Sequence, residues 1–240
     1  MKINWNYIKA LLLLALVGFL YSFSYTKNIE KLVSDVAVEF AEGNNLFMDY
    51  QMVNKLLIQN GKSVKNQPKS VIDLQRLEAN VRQHPMVEYV AVYLTVDGLL
   101  KTKIKQRTPI ARIEANNQSY YIDSQAKIMP LSDNHSARVM LVSGDIDEKD
   151  NDEIHELATA ILEHKFLKKQ IVGIQKTSHD EYILNSRIGD QKISLGKIEN
   201  LKQKFKNLES FFNKTMRDNS IDKYVTINLK FDNQVVCTKR

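Results

Sequence analysis

Catalysis needs nucleophiles, acids, bases or metal ligands brought together, so the titratable residues are taken first. Five histidines stand at positions 84, 135, 155, 164 and 179. None of them forms an H-x-x-x-H pair of the kind that grips a metal from one helix face. His155 and His164 are nine residues apart, which on a helix at about 100° per residue puts them on different faces. The single cysteine, Cys237, permits neither an internal disulfide nor a thiolate cluster. No base partner is indicated that would activate it. Asp145, Asp147, Glu148, Asp150, Asp152 and Glu153 form an acidic run. The run lacks the central glycine and closing glutamate of a calcium loop, and it immediately precedes a helical stretch whose N-terminus it would complement. No glycine-rich run ends in Gly-Lys-Ser/Thr, and there is no G-x-S-x-G elbow. The expectation is a non-enzymatic protein with no catalytic residue, no cofactor, no metal and no small-molecule substrate.

What remains is recognition through the backbone. Tyr224 to Phe231 reads as a strand with Val225, Ile227, Leu229 and Phe231 on one face. Gln234 to Thr238 is a short, β-prone tail. A terminal strand at a sheet edge leaves N–H and C=O groups unpaired, a template for a strand from another chain. The net charge of +6 and pI near 9.1 raise nucleic acid as a partner. The lysines are scattered, however, with no basic stripe interleaved with aromatics, and nucleic acid is not expected.

The elements that would carry such an edge can be read in order. Residues 1–7 form a short tail containing Lys2, expected in the cytoplasm. Residues 8–25 form a membrane span built on Ala10, Leu11, Leu12, Leu13, Leu14, Leu16, Val17, Phe19 and Leu20, with Lys9 able to reach the interface. Trp5, Tyr7, Tyr21 and Tyr25 fall where an aromatic belt would lie. Ser22-Phe23-Ser24 also offers a weak small-x-small cleavage site, but its aromatic neighbours favour a retained anchor. The C-terminus would then lie on the far side of the membrane.

Beyond the span, Val36, Val38 and Phe40 share a strand face, and Gly43-Asn44-Asn45 breaks the strand. Asp49 caps a helix carrying Met52, Val53, Leu56 and Leu57. Asp73 caps a second with Leu74, Leu77 and Val81, stopped by Pro85. Val90, Val92, Leu94 and Val96 alternate along a strand. Asp97-Gly98 predicts a type I′ turn with both central residues at positive φ. The return strand alternates Leu100, Thr102, Ile104 and Gln106 with the basic face of Lys101, Lys103 and Lys105. Pro109 cannot donate to a ladder, so it marks the end of this pairing or an edge. A second unit with two helices follows. One carries the stripe Ile154, Leu157, Ala158, Ile161, Leu162 and Phe166; the other carries Ile198, Leu201, Phe205, Leu208, Phe211 and Phe212. Lys197, Lys202, Lys204 and Lys206 lie off the second stripe and are expected in solvent. The fold class is α+β: one transmembrane helix, a strand-helix-helix-strand-strand unit at 27–108, and a larger β-rich unit at 109–240.

That order, with His84-Pro-Met-Val87, Pro109-Ile110-Ala111, Tyr120-Tyr-Ile-Asp-Ser-Gln-Ala-Lys-Ile-Met-Pro-Leu131 and Leu229-Lys-Phe-Asp232, resembles the FtsQ/DivIB family of bacterial cell-division proteins. In that resemblance 27–108 is a POTRA domain, Pro109, Ile110 and Ala111 form the domain junction, and 109–240 is the FtsQ-type β domain. Gln106 stands where the family usually has glutamate, and Ala126 where its turn usually has glycine. The resemblance implies a single-pass inner-membrane protein with a periplasmic C-terminus, enriched at the division septum. It implies partners similar to FtsB and FtsL and, through them, septal wall synthases; the alternatives are a POTRA-type periplasmic chaperone or transport accessory, or an exported cell-wall enzyme using a pair of the scattered carboxylates. It also implies strand addition at the C-terminal region, through Leu229, Lys230, Phe231, Gln234, Val235 and Val236. Lys230 replaces an arginine there and lacks its bidentate fork, so packing by Phe231 is expected to matter more.

Overall fold

The structure, a computed structural model, describes residues 5–41, 43, 45–59, 61–231 and 234–240. Most of the expected tail before residue 5, Asn44 of the expected strand break and Asp232 of the C-terminal motif lie outside the described residues. The chain divides into two compact units, Met1–Gln106 and Arg107–Arg240.

The first unit opens with helix α1 (Trp5–Ile29), longer at both ends than the span read from hydropathy. Strand β1 (Asp35–Phe40) follows, then α2 (Tyr50–Leu56). A two-residue ladder joins β2 (Ile58–Gln59) to β3 (Lys62–Ser63). Helix α2 ends one residue short of the expected Leu57, which is its C-cap. Helix α3 (Leu74–Arg82) leads into β4 (Val87–Leu94) and β5 (Leu99–Gln106). Both helices start as capping chemistry dictates: the Asp49 carboxylate accepts from Met52 N, and that of Asp73 from Arg76 N. The sheet order is β1-β5-β4, with β1 parallel to β5. Val53, Leu77 and Val81 of the helices are buried, as are Val90, Val92, Leu100 and Ile104 of the strands.

The turn between β4 and β5 departs from expectation. Thr95 N donates to Leu99 O and Gly98 N to Thr95 O; Gly98 sits at φ 90°, but Asp97 does not have positive φ. The loop is therefore a three-residue one, closed by a single left-handed glycine, and not type I′. A Cβ on Gly98 would lie 2.5 Å from the Leu32 carbonyl oxygen, so close approach as well as φ demands glycine here.

The second unit begins with β6 (Pro109–Ala115) and β7 (Gln118–Asp123). Asn116 and Asn117, at φ 51° and 63°, form the two-residue turn with both centres left-handed. Asparagine tolerates that region because its short amide bonds locally. The remaining strands are β8 (Ile128–Pro130), β9 (Met140–Gly144), β10 (Ile171–Lys176), β11 (Tyr182–Ser186), β12 (Lys192–Gly196), β13 (Tyr224–Asn228) and β14 (Val236–Lys239). Helices α4 (Asn151–Glu163), α5 (Leu167–Gln170) and α6 (Leu201–Arg217) complete it.

All nine strands form one sheet, in the order β14-β13-β12-β11-β10-β9-β6-β7-β8. β9 and β10 run parallel, as do β12 and β13. Parallel neighbours need a crossover, which α4 with α5 supplies in the first case and α6 in the second. One register row, Ile113, Val142, Ile174, Leu184, Ile193 and Ile227, crosses six strands, and every member is fully buried. Ile154, Leu157 and Ile161 of α4 and Phe205, Leu208 and Phe212 of α6 belong to the same core. Lys204 is a correction to the expected solvated face. It is 7% exposed, and its Nζ reaches back to the Lys197 carbonyl at 2.8 Å, so the ammonium satisfies backbone ahead of the helix.

Candidate functional site

The C-terminal border of this sheet is the place sequence reasoning singled out. β13 is shorter than expected, ending at Asn228. Beyond it, Leu229 N still bonds to Ser194 O of β12, and Lys230 N then bonds to the Asn228 side chain, where the ladder ends. The expected shared face of Val225, Ile227, Leu229 and Phe231 is broken at both ends. A register shift between Tyr224 and Thr226 leaves Val225 40% exposed while Ile227 and Leu229 are buried. Leu229, at 2% exposed, is filled in as core, so its side chain is directed inward and away from any partner.

The other five expected binding residues lie on or beside the border. Phe231 is 48% and Val236 42% exposed, and Gln234 is exposed. Val235 packs partly against the core. Lys230 pairs with Glu181 at the tip of the β10–β11 hairpin, so its charge already has a counter-ion within the chain. β14 pairs with β13 antiparallel, Asn228 to Val236 and Ile227 to Cys237, and among the described residues has no neighbour on its other side. Arg240 N donates inward to Lys223 O. Period-two alternation then turns the N–H and C=O of Cys237 and Lys239 outward. Burial pushes the Cys237 thiol up from its ordinary pKa.

Other edges are differently finished. β4, an edge of the first sheet, has its Val92 N–H taken by Glu78 of α3 at 3.2 Å. A side chain folded over an edge in this way blocks pairing. Among the described residues no side chain bonds to the backbone of β14.

Beside the Lys230–Glu181 pair lies a charge network, buried at Lys176 and Asp150 and exposed at Asp180, that sequence reasoning missed. Lys176 Nζ sits 2.8 Å from Asp150 and 2.9 Å from Asp180. Burial works against the Lys176 ammonium, but its bonds to the two carboxylates more than offset this and hold its pKa above that of an ordinary lysine. Burial likewise raises Asp150, and the bond from Lys176 reverses that into a net lowering. Tyr182 donates to Glu153 at 3.0 Å; burial and that carboxylate together push its phenol well up. Asp147 and Asp150 make a reciprocal cap ahead of α4, which is the use expected of the acidic run. Lysine at the end of a strand reads as solvated, and only the fold brings Asp150 beneath it.

At the junction, Pro109 takes the first position of β6, where its missing N–H costs no ladder bond. Ala111 is fully buried and Ile110 packs against the core. The Arg107 guanidinium holds the buried Asp123 carboxylate at 2.7 Å. The other Asp123 oxygen accepts from Gln125 N and Lys127 N, clamping the turn in which Ala126 adopts φ 60°.

Residues 108–238 match the family described as FtsQ/DivIB, C-terminal related, and residues 32–105 match a POTRA-like domain. No curated protein matches the chain.

Proposed function

The chain belongs to the FtsQ/DivIB, C-terminal related family, which matches more than half its length, and from that premise we propose that it is a non-enzymatic assembly protein of bacterial cell division. A POTRA-like domain precedes the family domain, and the N-terminal apolar helix fits a single-pass inner-membrane protein of a division family. In this reading the N-terminus is cytoplasmic, the C-terminus periplasmic and the protein is concentrated at the septum. It links early to late division proteins through partners similar to FtsB and FtsL, and through them to septal wall synthases.

The partner adds a strand to β14. The observation that supports this is the unpaired outer side of β14, flanked by the half-exposed Phe231 and Val236. Main-chain bonds would set register, and these two side chains would supply buried area. Lys230 contributes less, because binding through it must compete with Glu181.

A proline scan tests the reading. Lys239→Pro removes an outward N–H and leaves the chain's own ladder intact, so it lowers capture of an FtsB-like partner by the full chain while leaving thermal stability unchanged. Undiminished capture with Lys239→Pro contradicts strand addition at this edge.

A further inference from the structure

The exit of α1 and the tip of the β4–β5 hairpin share a cleft whose charged residues are all of one sign. Lys27, Lys31 and Lys69 line it together with Tyr21, Tyr25 and Val96, and no carboxylate does. Lys69 Nζ donates to Asn28 Oδ1 at 3.1 Å, to Thr95 O at 3.1 Å and to Val96 O at 3.4 Å. Lys31 Nζ lies 3.5 Å from Val96 O. The hairpin tip is therefore tied to the end of the helix, and every acceptor in the tie is neutral. Among the described residues none of the three lysines has an ion pair, so three positive charges converge without a counter-charge.

Depth along the helix indicates what supplies the counter-charge. The uncharged run of α1 lies between Lys9 and Lys27, roughly 26 Å of helix at about 1.5 Å per residue, close to the hydrocarbon thickness of a bilayer. Lys27 then falls where acyl chains give way to headgroups, with Tyr21 and Tyr25 as the aromatic belt just below. The tie through Asn28 sets Val96, 74% exposed, at the same level. An exposed aliphatic side chain beside uncompensated lysines suits the headgroup boundary better than open solvent.

We propose that this cleft binds the phosphate headgroup of an anionic phospholipid, and that the first unit rests on the bilayer through its β4–β5 hairpin tip. The inference depends on α1 being a membrane span. Lipid phosphate would bridge Lys27 and Lys31, while Lys69 keeps the hairpin fastened to the helix.

The full chain, carrying Cys237→Ser and a nitroxide on Val96→Cys, is placed in nanodiscs of phosphatidylcholine with or without phosphatidylglycerol. Lipid retained after gentle release is identified by native mass spectrometry, and label depth is read from its accessibility to oxygen against an aqueous nickel reagent. The expected result is retention of phosphatidylglycerol over phosphatidylcholine and a label at headgroup depth. In a Lys27→Gln/Lys31→Gln variant, retention of phosphatidylglycerol falls at least about fivefold, from the loss of two near-surface cations. Equal retention of both lipids, undiminished retention by the double variant, or a fully aqueous label overturns the proposal while leaving the anchor intact. Failure of the parent chain to enter nanodiscs of either composition overturns the anchor reading itself and the lipid site with it.

Discussion

Replacing Phe231 with alanine separates binding from folding, because the side chain is only half committed to its own domain. It is 48% exposed. Of the roughly 200 Å² a phenylalanine can bury, roughly 100 Å² is left for a partner. At about 25 cal/mol per Å², complete burial of that remainder is worth roughly 2.5 kcal/mol. A tenfold change in Kd corresponds to about 1.4 kcal/mol, so the loss is bounded near 60-fold, and about tenfold is expected if half the remainder is covered. The assay is titration of an FtsB-like partner against the full chain in detergent, with urea unfolding run in parallel. Phe231→Ala should weaken binding by between about 10- and 60-fold while costing the fold at most about 2.5 kcal/mol, the same conversion applied to the half already buried. Lys230→Ala should change Kd much less, since its exposed pair with Glu181 is of the kind worth about 0–1 kcal/mol. Binding within twofold of the parent, or a loss in step with lost stability, would refute this reasoning.

Three further outcomes follow from the packing. Ala126 holds φ 60° in a turn clamped by Asp123, so Ala126→Gly should raise the urea stability of the second unit by about 0.5–1 kcal/mol through relief of left-handed strain. The buried Gln106 accepts from Phe47 N and Met48 N and donates to Met48 O. Gln106→Glu loses that donor and sets a carboxylate against a carbonyl, which should cost about 1–3 kcal/mol in denaturant unfolding of the first unit at neutral pH. The Asp150–Lys176 pair sets a pH window. The Asp150 pKa is lowered in the fold, so its contribution is present above the ordinary aspartate value near 3.8 and is lost as pH falls below it. The Lys176 pKa is raised, so its contribution is present below the ordinary lysine value near 10.5 and is lost as pH rises beyond it. Thermal unfolding of Asp150→Asn should therefore show a clear deficit at pH 7 that shrinks below about pH 4; a deficit independent of pH would exclude the pair as its source.

Patterns of period two and 3.6 carried much of the architecture. The helix stripes through Leu157 and Leu208, the alternation through Leu100, Thr102 and Ile104, and the caps at Asp49 and Asp73 each depend on neighbours close in sequence, and all are present in the fold. What failed to show in the sequence depends on distant residues or on backbone detail. Asp97-Gly98 and Asn116-Asn117 are both turn pairs, yet only the second takes two left-handed residues. Leu32 crowding Gly98 is invisible to local reading. Lys204 reads as surface charge because its partner, the Lys197 carbonyl, lies outside its helix, and the Lys176–Asp150 pair is invisible locally because it joins two distant elements. At the candidate site, Leu229 shares the buried face of Ile227 as period two requires, whereas the departure of Val225 from that face depends on the register shift in β13.

Hydrogen exchange on the full chain, with and without an FtsB-like partner, bears most directly on strand addition at β14. The amides of Cys237 and Lys239, which face outward, should exchange rapidly in the free protein and slow markedly in the complex, while those of Val236 and Thr238, already bonded to β13, change little. Unchanged exchange at Cys237 and Lys239 in a saturated complex would contradict the account.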